Sequence, residues 1–145
     1  STDPDFFKLG KGVIRDRLSM QFPGVLPGDG TEGEKLMAEL MKRYKTVEKF
    51  DAAYWEGVVI GMIMERAFIR ANEKFKKIDR ESINNAMESF KDEDFGGFVP
   101  KITYTKGDHG ASFKARIVKV SEDGTYKPLT NFYEPGKEKI KLLTK

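Results

Sequence analysis

The organisation of this chain centres on residues 50–72, which read FDAAYWEGVVIGMIMERAFIRAN. The segment is too long for a strand and contains no proline, so it predicts a helix of roughly five turns. At about 100° per residue, its apolar side chains spread around most of the circumference and leave no wide polar face. Helices of this kind are buried on more than one side. The pattern therefore predicts a central packing helix, with the aromatic pair Tyr54 and Trp55 at its N-terminal end.

Small and charged residues inside the same segment limit the environments in which this helix can lie. Gly57 and Gly61 each cost about 1 kcal/mol in a helix interior, which suggests the close approach of a neighbouring element. A membrane-spanning helix is the other interpretation of an apolar segment, but charged residues make it a poor one. These charged residues are Glu56, Glu65, Arg66 and Arg70.

The composition is that of a folded domain. Of the 145 residues, 39% are hydrophobic and 34% are charged, which argues against disorder. The net charge of +3 arises from interspersed basic and acidic residues, whereas nucleic-acid binding needs a clustered basic stripe, so no nucleic-acid partner is expected. The lack of cysteine excludes disulfides, a thiol nucleophile and cysteine zinc ligands. No signal peptide or lipidation motif is visible, but a processed chain would also lack a signal peptide.

Two further helices are predicted beside the central one. Thr31 and Glu34 have the spacing of a capping box, in which each side chain bonds the other residue's backbone amide. Apolar residues then repeat at helical spacing as far as Tyr44. Asp79 is placed to cap a third helix, whose apolar face extends to Phe90.

The remaining segments predict loops, turns and short strands. Residues 10–14 are expected to enter a short strand, and the prolines and glycines of residues 22–30 predict a loop. Alternating apolar residues favour strands over residues 98–105 and 113–120, with a hairpin partner over residues 125–129. The turns between these strands are residues 106–110 and 122–124.

Few residues carry the patterns of catalysis. His109 is the one histidine, and no spacing of histidines or carboxylates supplies the convergent ligands that a metal site needs. We therefore expect His109 to be a solvent-accessible turn residue. No serine lies in a nucleophile-elbow pattern. The sequence therefore predicts no catalytic residue, no cofactor and no metal.

The aromatic pair at the start of the central helix is the exception. Aromatic faces stack on apolar or cationic ligands, so Tyr54, Trp55 and the adjacent Glu56 can line a pocket. The alternative is that one ring fills the core and the other covers the helix end. The residues alone leave both interpretations open.

Several segments follow one another in an order that resembles a known family. The most informative are YWEG at residues 54–57, ERAF at residues 65–68 and GDH at residues 107–109. Their order resembles the C-terminal part of the type I periplasmic solute-binding proteins, and more narrowly the branched-chain amino acid ABC-transporter substrate-binding family. The other matching segments are residues 10–14, 22–23, 31–44, 79–87, 96–98, 102–104, 117–120 and 123–124.

The resemblance implies an α/β fold, namely a fragment of a type I periplasmic binding protein whose two Rossmann-like lobes are incomplete in this chain. It implies that residues 1–30 and 109–145 belong to the second lobe, and residues 31–108 to the first. The implied function is capture of a small solute outside the cytoplasm, by closure of two lobes, and its delivery to an ABC transporter permease. The solute would be an amino acid or an aromatic or organic acid. The implied ligand-binding residues are Tyr54 and Trp55, together with Phe22.

Two other functions stay open, and the likeness also predicts an incomplete molecule. The alternatives are a ligand-sensing receptor module of the same fold and an unrecognised small α/β enzyme. The matching segments cover well under half of a complete family member, and soluble monomers rarely expose large apolar patches. We therefore expect the remainder of a parent chain, or a second copy, to cover helix 52–71 at six side chains. They are Val58, Ile60, Met62, Ile63, Met64 and Phe68.

Overall fold

The computed structural model describes residues 10, 18–45, 47, 49–110, 112, 114–121 and 123–134. The described residues fall into two compact units, one formed by residues up to 24 together with those from 113 onward, the other by residues 25–112. The predicted division of the chain between two lobes stays a prediction. The elements, in chain order, are β1 (Leu18–Phe22), α1 (Glu32–Tyr44), α2 (Ala52–Phe75), α3 (Arg80–Met87), β2 (Arg116–Val120) and β3 (Tyr126–Pro128).

The first unit is built on a three-stranded antiparallel sheet in the order β1-β2-β3. Met20 pairs with Val118, and Val118 pairs in turn with Pro128. Along β2, buried residues alternate with half-buried ones, as expected of a strand with one face on a core. The predicted hairpin of β2 and β3 is confirmed, with its turn closed by Gly124 N–H donating to Ser121 O at 2.9 Å. The expected strand at residues 10–14 lies outside the described residues, apart from Gly10.

The strand β1 is an element that the sequence pattern does not predict. Its residues, LSMQF, include no β-branched side chain, so the local signal for a strand is weak. Pairing with β2 over all five residues supplies the missing stabilisation. Phe22, which the sequence places at the start of a loop, is therefore the last residue of a strand.

The second unit contains the three helices. All begin where a side-chain cap is available: Thr31 caps α1, Asp51 caps α2 and Asp79 caps α3. Helices α2 and α3 pack against each other through small side chains, because Ala67 and Ala71 of α2 and Ala86 of α3 are fully buried.

The environment of α2 corrects one sequence-based prediction. Its buried residues are Ala52, Trp55, Ala67 and Ala71, so the described chain buries one side of the helix and not several. Of the six side chains expected to need outside cover, Ile60 and Phe68 are 57% and 39% exposed and the other four are half-buried. No side chain of the six is fully buried, in agreement with the prediction that this chain alone does not cover them. No helix among the described residues is long and apolar enough to cross a membrane.

The glycines of α2 do not have the role that the sequence suggests within this chain. A Cβ placed on Gly57 or Gly61 would meet no atom within 4 Å. The close neighbour inferred from these glycines is therefore absent among the described residues. The glycine that does sit against another segment is Gly33 in α1, whose Cβ would lie 2.6 Å from the backbone nitrogen of Phe98.

The prediction of a strand over residues 98–105 is wrong. This segment forms only isolated bridges, Glu93 with Ile102 and Thr105 with Asp108. Pro100 removes a backbone donor, and the Phe98 amide turns back to the carbonyl of Phe95 at 3.1 Å. The apolar residues that suggested alternation serve instead to fill the core, since Phe98 and Ile102 are buried.

Candidate functional site

The loop before α1 is held by the carboxylate of Glu34. Its two oxygens accept the amides of Gly28 and Gly30, each at 2.6 Å. The predicted capping box is therefore half correct: Thr31 Oγ1 accepts from the Glu34 amide at 3.1 Å, but Glu34 bonds the loop and not the Thr31 amide. The loop is closed further by Asp29 Oδ2, which accepts the Leu26 amide at 2.7 Å.

Trp55 is a buried anchor in the second unit. The residue is 6% exposed, and its indole Nε1–H donates to the carbonyl oxygen of Phe98 at 3.2 Å. The same oxygen accepts the amide of Val25 at 3.0 Å. One carbonyl thus joins α2, the loop after α3 and the start of residues 25–30. The geometry matches the interpretation in which one ring of the aromatic pair fills the core.

Tyr54 differs from its neighbour because it points to another side of the helix. Consecutive residues are about 100° apart on a helix, so burial of Trp55 leaves Tyr54 half-buried and Glu56 exposed. The Tyr54 amide donates to Asp51 Oδ1 at 2.8 Å and completes the cap of α2. Tyr54 is therefore partly accessible at the start of α2, whereas Trp55 is buried within the unit.

Phe22 lies in the other unit. Its side chain is 2% exposed, and its ring centroid is 6.0 Å from that of Tyr126 on β3. Phe22 therefore packs in the core beside the three-stranded sheet. Because Phe22 and the aromatic pair belong to different units, their joint role at one ligand site stays a prediction.

A cluster of charged side chains connects α2 with the loop after α3. Arg70 donates to both oxygens of Glu93 at 2.9 and 2.8 Å, and Arg66 donates to the same carboxylate. Burial alone would raise the pKa of Glu93, but these hydrogen bonds outweigh it and hold the pKa below its usual value. The Cζ atom of Arg66 also lies 5.3 Å from the ring centroid of Phe95, and that of Arg70 lies 4.7 Å from the ring centroid of Phe90. The i,i+4 spacing of the arginines is the signal that could have indicated this cluster.

A small pocket lies elsewhere in the second unit, lined by Asn84, Met87, Glu88, Tyr104 and His109. His109 follows the turn at residues 106–107 and its side chain is 62% exposed, so the predicted solvent-accessible turn position is confirmed. Within the described residues, no group of three or more histidines and carboxylates is arranged to hold a metal ion. None of the predicted ligand-binding residues lines this pocket.

Comparison with known proteins gives matches among solved structures. No model of a protein family and no reviewed protein sequence matches the chain. A branched-chain amino acid ABC transporter protein from Thermus thermophilus with bound valine matches 92% of this chain and 37% of its own, with a TM-score of 0.75 and 23% identity. A fatty acid ABC transporter substrate-binding protein from Thermomonospora curvata matches 81% of this chain and 30% of its own, with a TM-score of 0.68 and 24% identity. An ABC transporter substrate-binding protein from Aeropyrum pernix has a TM-score of 0.64 at 21% identity, over 85% of this chain and 33% of its own.

These likenesses establish the fold. The chain has the fold of part of a type I periplasmic binding protein, as the resemblance in sequence predicted. It spans about a third of the length of the structures it matches. Two of the three are described as ABC transporter substrate-binding proteins, and the third as a branched-chain amino acid ABC transporter with bound valine.

Proposed function

We propose that this chain belongs to an extracytoplasmic solute-binding protein of an ABC importer. The observation that carries the proposal is the match over 92% of the chain to a solute-bound protein of this kind, at a TM-score of 0.75. The mechanism is capture of a small solute between two lobes, followed by delivery to a permease in the membrane. Binding favours the closed state because the solute contacts both lobes only when they are closed.

The solute is an amino acid or an aromatic or organic acid. The neighbours include one protein with bound valine and one described as a fatty acid ABC transporter substrate-binding protein. Amino acids and organic acids are therefore both associated with this fold. A carboxylate is common to these compounds. We propose that Tyr54, half-buried at the start of α2, contacts the solute through its ring.

Trp55 and Phe22 are proposed to affect the solute indirectly, each from the interior of its own unit. The hydrogen bond from Trp55 to Phe98 fixes the first turn of α2, so Trp55 holds the Tyr54 backbone in place. Phe22 ends β1 next to residues 23–24, where the chain leaves the first unit. Both residues are at most 6% exposed, so their effect on the solute acts through packing.

The exposed apolar side of α2 is proposed to pack against further chain of a longer protein, or against a second copy. Ile60 and Phe68 support this proposal, since both are large and substantially exposed. So do Gly57 and Gly61, where an added Cβ would have nothing within 4 Å, which leaves room for a close neighbour. The share of the matched structures that this chain spans, about a third, leaves ample additional chain to supply that cover.

The test is a calorimetric titration of the protein expressed from its complete reading frame. Valine, phenylalanine, benzoate and a fatty acid represent the solute classes. We expect one class to bind saturably, and Tyr54→Ala to weaken that binding by about 1–3 kcal/mol, the range of an aromatic hot spot. The matched control is Tyr44→Ala, because Tyr44 is 59% exposed at the end of α1. Failure of every solute to bind would overturn the proposed function, and equal affinity of the two variants would remove Tyr54 from the site.

A further inference from the structure

We propose that the pocket formed by Asn84, Met87, Glu88, Tyr104 and His109 binds a free, small organic amine in its ammonium form. All five residues belong to the second unit. The proposal concerns a site separate from Tyr54 and Trp55, and it stands whether or not the chain takes part in solute import.

The carboxylate of Glu88 supplies the charge. Its side chain is only 12% exposed, and one oxygen, Oε1, accepts from Asn84 Nδ2 at 3.1 Å and lies 3.3 Å from His109 Nε2. The other oxygen, Oε2, accepts no hydrogen bond from the residues that the structure describes, and no described lysine or arginine pairs with this carboxylate. A mostly buried carboxylate loses part of its hydration, and a nearby cation compensates for that loss. Because Oε2 is not fully buried, an ammonium group can reach it and provide both a positive charge and a hydrogen-bond donor.

Tyr104 and Met87 supply the wall that suits the carbon part of an amine. The Tyr104 ring packs edge-on to His109, with centroids 6.4 Å apart, and against Phe90 at 6.0 Å. A cation near an aromatic face gains from the negative charge of the ring face, and a thioether adapts to apolar groups of different shape. Burial raises the pKa of Tyr104, so its hydroxyl stays neutral at physiological pH. That hydroxyl forms no hydrogen bond with any described residue and remains open to a ligand.

The size of the pocket sets how much of a ligand it can enclose. Its volume is about 150 Å³, and an apolar cavity of that volume accommodates benzene. The part of a ligand that the pocket encloses therefore has about six non-hydrogen atoms. An amine with four or five carbons fits this volume. The structure thus assigns the site to a compact alkylammonium ion.

The experiment uses the single histidine as a reporter, because one imidazole in the chain gives one set of ring resonances in the NMR spectrum. Isobutylammonium, isobutanol and isobutyrate are titrated separately into the full chain at one fixed pH. The three probes have the same carbon skeleton and differ in charge. We expect a saturable shift of the His109 resonances with isobutylammonium, at a Kd on the order of millimolar. The shift with the other two probes should be at least tenfold weaker.

Two variants separate a specific site from a general effect of charge. Glu88→Gln should abolish saturation by isobutylammonium, whereas Glu81→Gln removes the same charge from an exposed position on α3 and should leave saturation unchanged. Tyr104→Phe keeps the ring and should weaken binding only several-fold. Equal binding of isobutanol by the wild-type chain would overturn the proposal without any variant. So would unchanged affinity in a Glu88→Gln chain that retains the wild-type backbone amide spectrum.

Discussion

Trp55 donates its indole N–H to the carbonyl oxygen of Phe98, 43 residues further along the chain, over 3.2 Å. The bond is buried, and it links α2 to a loop that also receives the amide of Val25. Trp55→Phe keeps an aromatic ring but loses the donor, so we expect the free energy of unfolding to fall by about 1–3 kcal/mol. Trp55→Ala also leaves a cavity and should cost about 3–5 kcal/mol. Urea denaturation followed by circular dichroism measures both, and a Trp55→Phe chain as stable as wild type would contradict the anchoring role.

Gly33 lies where the first turn of α1 meets the loop after α3. Its amide donates to Gly96 O at 2.7 Å, and an added Cβ would lie 2.6 Å from the nitrogen and 2.8 Å from the Cα of Phe98. Because these are backbone atoms, they cannot move aside without disturbing the loop. Gly33→Ala should therefore lower the free energy of unfolding by about 1–3 kcal/mol, although alanine is the better helix former. Thermal unfolding provides the measurement, and an increase in stability would show that the contact is loose.

Gly57 is the matched position where the same change should have the opposite sign. It lies inside α2, is exposed and has no atom within 4 Å of a Cβ. Gly57→Ala should raise the stability of this chain by roughly 0.5–1 kcal/mol, because alanine restricts the unfolded chain and favours the helix. In the product of the complete reading frame, close cover of α2 should remove the gain or reverse it. An equal gain in both proteins would count against the proposed cover at Gly57.

Glu34 is expected to stabilise the loop before α1 more than its place near the surface suggests. Both of its oxygens accept loop amides at 2.6 Å, and hydrogen bonds to a charged acceptor are stronger than neutral ones. Glu34→Gln replaces one acceptor oxygen by a donor and should lower the free energy of unfolding by about 1–2 kcal/mol. Glu39→Gln, on the exposed side of the same helix, serves as the control and should change it by less than about 0.5 kcal/mol. Faster amide hydrogen exchange at Gly28 and Gly30 should accompany the loss in Glu34→Gln alone.

Glu93 should make the second unit sensitive to acid. Although burial opposes ionisation, the hydrogen bonds from Arg70 and Arg66 lower the pKa of its carboxyl in the folded chain. A carboxyl whose pKa is lower folded than unfolded stabilises the fold above the unfolded pKa, and this contribution is lost as pH falls through the folded pKa. We expect wild-type stability to fall as pH drops below the ordinary glutamate value of about 4.3. Glu93→Gln should be about 1–3 kcal/mol less stable at pH 7 and should lose less on acidification.

The control for this pH dependence is Glu65→Gln, because Glu65 lies exposed on α2 next to a residue of the cluster, Arg66. Its stability should follow the wild-type curve through the acid range. Parallel curves for wild type and Glu93→Gln would contradict the assignment of the acid sensitivity to Glu93. Urea midpoints at a series of pH values provide the measurement.

The helices could be predicted because their signals are local. Thr31, Asp51 and Asp79 each accept an amide three residues onward, and a cap of this kind depends only on neighbours in sequence. The reciprocal partner of Thr31 could not be predicted. Glu34 can reach several amides, and the backbone of the preceding loop decides that Gly28 and Gly30 receive it.

The strands were predictable only in part, since their pairing is not local. The hairpin of β2 and β3 has alternating residues and a turn signal at residues 123–124, and it is present. The strand β1 lacks such a pattern and exists because β2 pairs with it from a distant part of the sequence. Residues 98–105 show the converse, since they have an alternating pattern but form no strand. Phe98 and Ile102 are buried although the segment is a loop with isolated bridges.

For the proposed solute site, the residue types were visible in sequence and their environments were not. Adjacent aromatic residues at the start of a helix point in directions about 100° apart, so at most one could face the interior in the same way. The contact with the Phe98 carbonyl decides that Trp55 is the buried one. The pocket around Glu88 had no sequence signal, because its five residues come from α3, the residue that follows it and two later segments.

The sequence by itself determined the three helices, the hairpin and the resemblance that predicted the fold. The helices and the hairpin depend on side chains that act on nearby backbone. The resemblance depends on the order of segments, which the sequence shows directly. Only the tertiary structure decided which side of α2 is buried, which charges meet at Glu93 and which glycine is required for packing. These features depend on distances between segments far apart in the chain, and local patterns of hydrophobicity carry no information about those distances.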